Sequence, residues 1–275
     1  MTVHLDPAGV QAAETYDGAA GHVDAPPCSF AVRHGHMAVE LAHIRQGHAV
    51  LDVGCGSGAS ALKAAQVVAP SGHVLAVDVA ANMLYRADQK AAARGLTNID
   101  FVCDDMGALD GPAGHYHAVI GVFSLVFVSD MPRVLHRLYQ LLRPGGRIVI
   151  TSWADGAFEP LASAFRRALR KTRPDVLIDP LPWRRLSEPD AIDQLFRMAG
   201  LPEPQLHHVA DHHIVADIRD HWTVVMGSVL RTAVACLTPE ERFEVEEDTI
   251  GELARGGADA IGASVIHAVA QKPAI

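Results

Sequence analysis

Two periods of apolar residues organise this chain. Over residues 30–44, Phe30, Met37, Leu41 and Ile44 recur at helical spacing, and the segment is predicted as a helix. Short apolar runs follow at 49–53, 73–77, 99–103, 118–123 and 147–152 and read as strands, the fourth wholly apolar. Between them lie predicted helices at 60–69, 81–94 and 130–142. Pro70-Ser71-Gly72 stops the first, and Gly95 stops the second as a left-handed cap residue. The third ends before Pro144-Gly145-Gly146. Continuous apolar strands alternating with helices imply a parallel sheet covered on both faces.

Past residue 152 the pattern loosens. A helix is expected near 160–171, followed by breaks at Pro174, Pro180 and Pro182, and another at 188–199, closed by Gly200. Residues 206–215 read as a strand, 220–236 and 239–255 as helices, and 263–270 as a last strand. Thr238, Pro239 and Glu241 carry the signature of a capping box at the second of those helices. Ahead of residue 30 the chain reads as irregular, with a break at Pro26-Pro27.

The 275 residues suit one large domain or a domain with a cap, and 49% hydrophobic against 20% charged residues excludes a disordered chain. The net charge of −9 and the scatter of basic residues argue against a nucleic-acid partner. The densest basic cluster, Arg166, Arg167, Arg170, Lys171 and Arg173, reads as one solvated helix face. Cys28, Cys55, Cys103 and Cys236 form no CxxC pair and no zinc spacing, as expected of reduced thiols in a cytoplasmic protein. Residues 1–7 lack the basic region and apolar core of a signal peptide. No apolar run reaches the ~18 residues of a membrane span. Sixteen histidines include His34, His36, His207-His208 and His212-His213, but no HExxH or cysteine partners accompany them, so no metal is expected.

The chemistry concentrates in Val50-Leu51-Asp52-Val53-Gly54-Cys55-Gly56-Ser57-Gly58, where three glycines follow an apolar strand. Glycines there let backbone approach a ligand closely. No Gly-Lys-Ser/Thr follows, which excludes a phosphate P-loop. Gly54, Gly56 and Ala59 do fit the dinucleotide pattern, and Asp78 ends the next strand where a ribose-binding acid would lie, so a nicotinamide enzyme stays open on these residues. Asp52 changes the balance: a carboxylate two positions before the first glycine repels a pyrophosphate but suits an ammonium or a cationic sulfur. Asp104-Asp105-Met106, closing the third strand, and Leu141-Leu142-Arg143-Pro144-Gly145-Gly146, turning into the fifth, complete the set.

In combination and in order, these residues resemble the class I S-adenosylmethionine-dependent methyltransferases. More narrowly, they are similar to the group typified by the ubiquinone and menaquinone biosynthesis methyltransferases and many natural-product methyltransferases. The resemblance runs from about residue 50 to 152, and Tyr16-Asp17-Gly18-Ala19-Ala20 is similar to that group's N-terminal lid. It implies an α/β, Rossmann-like seven-stranded sheet, last strand antiparallel, with helices on both faces and a mostly helical substrate cap. Residues 1–48 would form the lid and 49–152 the cofactor core. Residues 153–275 would supply the rest of the sheet, with cap insertions near 153–185 and 217–257.

The cofactor implied is S-adenosyl-L-methionine, with S-adenosyl-L-homocysteine as product. Asp52 and the loop of Gly54, Cys55, Gly56 and Gly58 would hold its methionine part, and Asp78 its ribose hydroxyls. Val79 and Met83 would pack on the adenine. Asp105 would accept from the adenine amine, with Met106 offering a backbone contact. Phe123 and Ser124 would sit near the methyl group, and Tyr16 would close over the methionine carboxylate. One departure is Tyr116-His117 where the family commonly has Phe-Asp; His117 reads as a strand-start residue.

The acceptor implied is a small, partly apolar molecule, a quinone precursor or natural product, methylated on carbon or oxygen. Gly121-Val122-Phe123-Ser124 lacks the Asn/Asp-Pro-Pro-aromatic motif of base methylation, and residues 121–129 lack the acidic ligands of a magnesium-dependent catechol enzyme. A hydroxyl acceptor would need a base, for which His212 or His213 is chosen. The rivals are a non-methylating cyclisation or rearrangement on the same cofactor, a protein that senses S-adenosylmethionine without turnover, and an NAD-dependent oxidoreductase. A homodimer is compatible with all of them, and a membrane partner is not expected.

Overall fold

The structure is a computed structural model that describes residue 5, residues 7–178 and residues 181–274. Residues 1–4 and 6, read for a leader, and Pro180, read as a break, lie outside the described residues. In chain order the helices and strands are α1 (Pro7–Ala19), α2 (Phe30–Leu41), β1 (Ala49–Val53), α3 (Ala61–Val68), β2 (His73–Asp78), α4 (Ala81–Ala93), β3 (Ile99–Cys103), β4 (Tyr116–Val122), α5 (Met131–Leu141) and β5 (Leu142–Trp153). They continue with α6 (Leu161–Thr172), α7 (Pro189–Met198), β6 (Gln205–Val209), β7 (His212–Ile214), α8 (Asp220–Met226), α9 (Arg231–Val234), α10 (Pro239–Arg255), β8 (Ala260–Gly262) and β9 (Val265–Gln271).

Alternation along the strands divides the core. Leu51 and Val53 of β1 join Ile148 and Ile150 of β5 against α5 and α7. Val50, Val74, Ala118 and Val149 face the other way, against α2 and α3. The main sheet runs β3-β2-β1-β4-β5-β9-β6. Its first five strands pair in parallel, while β9 inserts antiparallel between β5 and β6. This is the seven-stranded sheet with an antiparallel last strand that the sequence implies. The strand order reverses between β1 and β4, and such a switch point opens a crevice at the strands' C-terminal ends. A third apolar cluster, including Phe165 of α6, Trp222 of α8 and Leu253 of α10, lies over that end. Among the described residues, no helix is long and apolar enough to cross a membrane, and no group of three candidate ligands could hold a metal ion.

The structure departs from the sequence pattern in three places. Residues 7–19, expected to be irregular, form α1; its buried positions are Gly9, Ala12, Thr15 and Ala19, too small to print an apolar stripe. The strand expected over 206–215 breaks at Asp211. There the Asp211 amide donates to Ser264 Oγ and its carboxylate pairs with Arg33, so β6 pairs with β9 and β7 with β8. The helix expected over 220–236 divides into α8 and α9 at Gly227, which packs so tightly that a Cβ there would lie 2.8 Å from Cys28 Sγ. The capping box of α10 forms as expected: Thr238 Oγ1 accepts from the Glu241 amide, and Glu241 accepts from the Thr238 amide.

Candidate active site

At the end of β1 the backbone turns through the glycine loop under tight constraint. Gly54 has φ +65°, and a Cβ there would sit 2.2 Å from Ser124 Cβ. Ser124 cannot retreat, because its hydroxyl donates to the Val53 carbonyl at 2.8 Å. Gly56 has φ +53°, yet a Cβ there would meet nothing within 4 Å; it opens onto a cavity. One glycine thus lets two strands approach, and the other keeps space clear.

Asp78, at the end of β2, ties this loop to the next helix. Its Oδ2 accepts from the Gly56 amide at 2.7 Å, and its Oδ1 from the Ala80 amide at 2.9 Å. The carboxylate also takes the Val79 amide and still keeps acceptor capacity for a ligand. Burial raises its pKa, against the pull of those amides. The register pairs Asp78 with Cys103 of β3, which brings Asp104 and Asp105 beside it. Asp105 Oδ1 takes the Gly107 amide at 2.7 Å, and Asp104 Oδ1 takes that of Asp105 at 2.8 Å.

Asp52 is fully buried, and neither of its oxygens makes a hydrogen bond. Burial pushes its pKa up to about 7; Ser60 nearby pulls it down and the charge of Asp78 pushes it further up. A buried carboxylate without a partner is costly unless something cationic comes near. Asp52 stands behind the loop and is not part of the cavity wall.

The cavity has a volume of about 200 Å³ and opens to solvent at its mouth. Its polar wall is the glycine loop through Gly54, Cys55 and Gly56, with Asp78, Val79 and Met83, then Asp105 and Met106. Tyr16 of α1 closes one side, its ring edge-on to Phe127 at 5.3 Å. Burial and the charge of Asp78 hold its phenol protonated. Gly58 lies outside the wall, against Leu62.

The opposite wall is aromatic. Phe123 stacks on Trp153 with ring centroids 3.9 Å apart and planes 4° from parallel. Phe158 packs on Trp153 at 4.9 Å and on Trp183 at 5.0 Å, and Phe30 meets Trp153 at 5.4 Å. Phe123 holds φ +57°, a strained conformation for a large side chain, fixed by the stack and by its amide donating to the Thr151 carbonyl. Such strain concentrates at functional sites, and Phe123 and Ser124 form the seam between the two walls.

His212 and His213 do not line the cavity. The alternation of β7 sends His212 to solvent and turns His213 edge-on against Phe30 at 5.3 Å, so Phe30 stands where a base would. No histidine lines the cavity among the described residues. His117 lies at the opposite end of the sheet, its Nδ1 accepting from the Ala49 amide at 3.0 Å and its ring stacked on His48. The sequence placed Trp153, Phe158 and Trp183 only within an expected cap segment, without singling out any of them, and it passed over Asp24, within a stretch read as irregular. Only their apolar or acidic type could have marked them.

Residues 50–146 match the methyltransferase domain family. Aklanonic acid methyltransferase DauC of Streptomyces sp. (strain C5) is 32% identical, over 68% of this chain and 83% of that protein. Nocamycin O-methyltransferase of Saccharothrix syringae is 30% identical, over 86% and 89%. The ubiquinone/menaquinone biosynthesis C-methyltransferase UbiE of Pasteurella multocida (strain Pm70) is 27% identical, over 62% and 69%. Among solved structures, the YcgJ protein of Bacillus subtilis superposes with a TM-score of 0.58 at 17% identity, covering 88% of this chain and 99% of its own.

Proposed function

Since the chain belongs to the S-adenosylmethionine-dependent methyltransferase family, we propose that it methylates an acidic hydroxyl, or the carbon conjugated to it, on a flat and largely apolar metabolite. The observation that carries this reading is the seam at Phe123-Ser124, where a polar wall of glycines and carboxylates meets an aromatic wall inside one cavity. The choice of cofactor over a dinucleotide follows from the family and agrees with the buried, partnerless carboxylate of Asp52, which favours a cation and opposes a diphosphate. On this reading residues 1–48 act as lid, 49–152 as cofactor core and 153–275 as the remaining sheet with its cap.

S-adenosylmethionine, when bound, supplies a methyl group on a positively charged sulfur. The chain's own residues then do four things. Asp78 offers its free lone pairs to the ribose hydroxyls, while its bonds to Gly56 and Ala80 fix its angle. Val79, Met83, Asp105 and Met106 take the adenine. Asp52 balances the positive charge from behind the loop. The aromatic wall of Phe30, Trp153, Phe158 and Trp183 holds the acceptor flat and excludes water, so that alignment and dehydration provide most of the acceleration.

No histidine, lysine or arginine of the described residues lines the cavity, and its carboxylates belong to the cofactor side. The acceptor therefore arrives with an ionisable group of its own: a carboxylic acid, an enol or an acidic phenol. One relative is named for an acid, aklanonic acid. The test is incubation with S-adenosylmethionine and a panel of aromatic acids, enols and quinone precursors, read by mass spectrometry. A gain of one methylene with formation of S-adenosylhomocysteine supports the reading, while a converted product of unchanged mass favours rearrangement. The pH dependence of kcat/KM should move with the acceptor's own pKa. A fixed inflection with every acceptor would instead reveal a base in the protein.

A further inference from the structure

We propose that Asp24 is a positioning residue for the cofactor: it clamps the N-terminal strap onto the glycine loop and α4, and so governs how fast the cofactor leaves. The proposal rests on reading the polar wall as the S-adenosylmethionine site.

Asp24 lies between α1 and α2, on the cavity wall. Its Oδ1 accepts from Ser57 Oγ at 2.8 Å and from Lys90 Nζ at 2.7 Å, and its Oδ2 from Arg86 Nε at 2.9 Å. Ser57 belongs to the glycine loop, and Arg86 and Lys90 stand one turn apart on α4. A single carboxylate thus joins the strap, the loop and the helix. The Asp24 side chain is only 21% exposed, so water and salt screen it less than an ordinary surface pair.

The strap's apolar hold is small: Ala19 and Ala20 pack on Ala80 and Met83, and Tyr16 meets Phe127. The buried positions of α1 are Gly9, Ala12, Thr15 and Ala19, and such small side chains remove little apolar area from water. Its other attachments are polar. Asp17 Oδ1 caps the start of α4 by accepting the Asn82 amide at 2.8 Å. On the far side Arg231 Nη1 donates to the Thr15 carbonyl at 3.1 Å, and the Thr15 and Thr232 hydroxyls meet at 3.1 Å. An element that buries little and hangs on a few polar ties opens at low cost. Because Tyr16 and Asp24 both line the cavity, the cofactor leaves by lifting this strap, and Asp24 ties it to two cationic side chains at once.

Ordinary surface ion pairs contribute almost nothing, which gives the test its contrast. Dissociation of S-adenosylhomocysteine from the full chain is timed by stopped-flow displacement, beside kcat and KM for S-adenosylmethionine. Asp24→Asn should speed dissociation by roughly tenfold or more, as expected for losing bonds to a charged group. KM should rise by more than kcat changes, and Asp24→Glu should restore most of the affinity. In a Lys90→Met background Asp24→Asn should have a smaller further effect, since the two share one tie. Hydrogen exchange should quicken in α1 but not in β1 or β4. Unchanged dissociation together with unchanged exchange in α1 overturns the proposal. A wild-type chain with no affinity for S-adenosylhomocysteine overturns the cofactor reading instead, and the clamp falls with it.

Discussion

Gly54 and Gly56 are two residues apart, share a left-handed backbone and should fail in opposite ways when given a methyl group. At Gly56, φ +53° puts an alanine in a region that costs about 1–2 kcal/mol for an L-residue. The added Cβ meets no protein atom within 4 Å, so no packing penalty follows. At Gly54, φ +65° carries the same backbone cost, and the Cβ would sit 2.2 Å from Ser124 Cβ and 3.0 Å from its Oγ. Overpacking of this kind adds about 1–3 kcal/mol. Gly54→Ala should therefore lose roughly 2–5 kcal/mol of stability and Gly56→Ala about 1–2 kcal/mol.

Binding should rank the two differently. On the proposed reading the cofactor's methionine part occupies the space beside Gly56, so a methyl there should cost the complex about 1–3 kcal/mol, or roughly 5- to 150-fold in affinity. Urea unfolding without ligand gives the first quantity, and calorimetry with S-adenosylhomocysteine gives the second. The expected result is a Gly56→Ala protein that folds almost as well as the parent and binds poorly. A Gly56→Ala protein that binds S-adenosylhomocysteine with undiminished affinity would refute the reasoning, because the cleared space would then serve some other body.

Asp52 should make the apo protein lose stability as pH rises: unfolded, it gives up its proton near 3.8, but the folded chain keeps it to about 7, so between those values the native state binds more protons. The loss is roughly 4 kcal/mol across that window, and Asp52→Asn should flatten it. At pH 7, binding of S-adenosylmethionine should release part of that proton, seen as a heat that depends on the buffer's ionisation enthalpy and is absent in Asp52→Asn. His267 acts oppositely: burial, with the nearby His34 and His207, lowers its pKa to about 4. Its contribution should decline by about 3 kcal/mol as pH falls from 6.5 towards 4, and His267→Asn should remove that decline in an acid unfolding series. Asp78→Ala should weaken S-adenosylhomocysteine by about 1–3 kcal/mol in calorimetry, and unchanged affinity would remove it from the ribose site. Trp153→Ala should cost about 3–5 kcal/mol of stability and raise the acceptor's KM well beyond that of the cofactor in steady-state kinetics.

The cofactor half of this site was readable because it is local in sequence. Each of its pieces lies at or just past the C-terminal end of one strand: 52–58 at the end of β1, 78–83 from the end of β2 into α4, 104–106 after β3, 123–124 after β4. The strands announce themselves because both faces are buried, as the zero exposure of Val50, Leu51, Val119 and Ile120 attests. Once strands and loops are in order, parallel pairing stacks the loops on one edge, and their residue types state the chemistry.

The acceptor half is assembled differently. Phe30, Trp153, Phe158 and Trp183 come from α2, the end of β5, a turn and a short 3-10 helix, and they meet only because β5 pairs antiparallel with the distant β9 and the cap folds back over the switch point. Nothing in the local pattern separates an aromatic residue of that wall from one in the core. The same limit explains the histidines. His212-His213 offered the right functional group at a plausible edge, but which of two adjacent residues faces inward depends on a break at Asp211 made by Arg33 and Ser264, both remote in sequence. It explains the strap as well, for a helix held by polar ties needs no apolar stripe. On the proposed reading, the cofactor residues are thus each marked by a loop following its own strand, and the acceptor residues only by partners brought together in the fold. That difference lets the acceptor wall vary without disturbing the glycine loop, since a change at Trp183 or Phe158 touches none of the bonds that hold Asp78 or Gly56 in place.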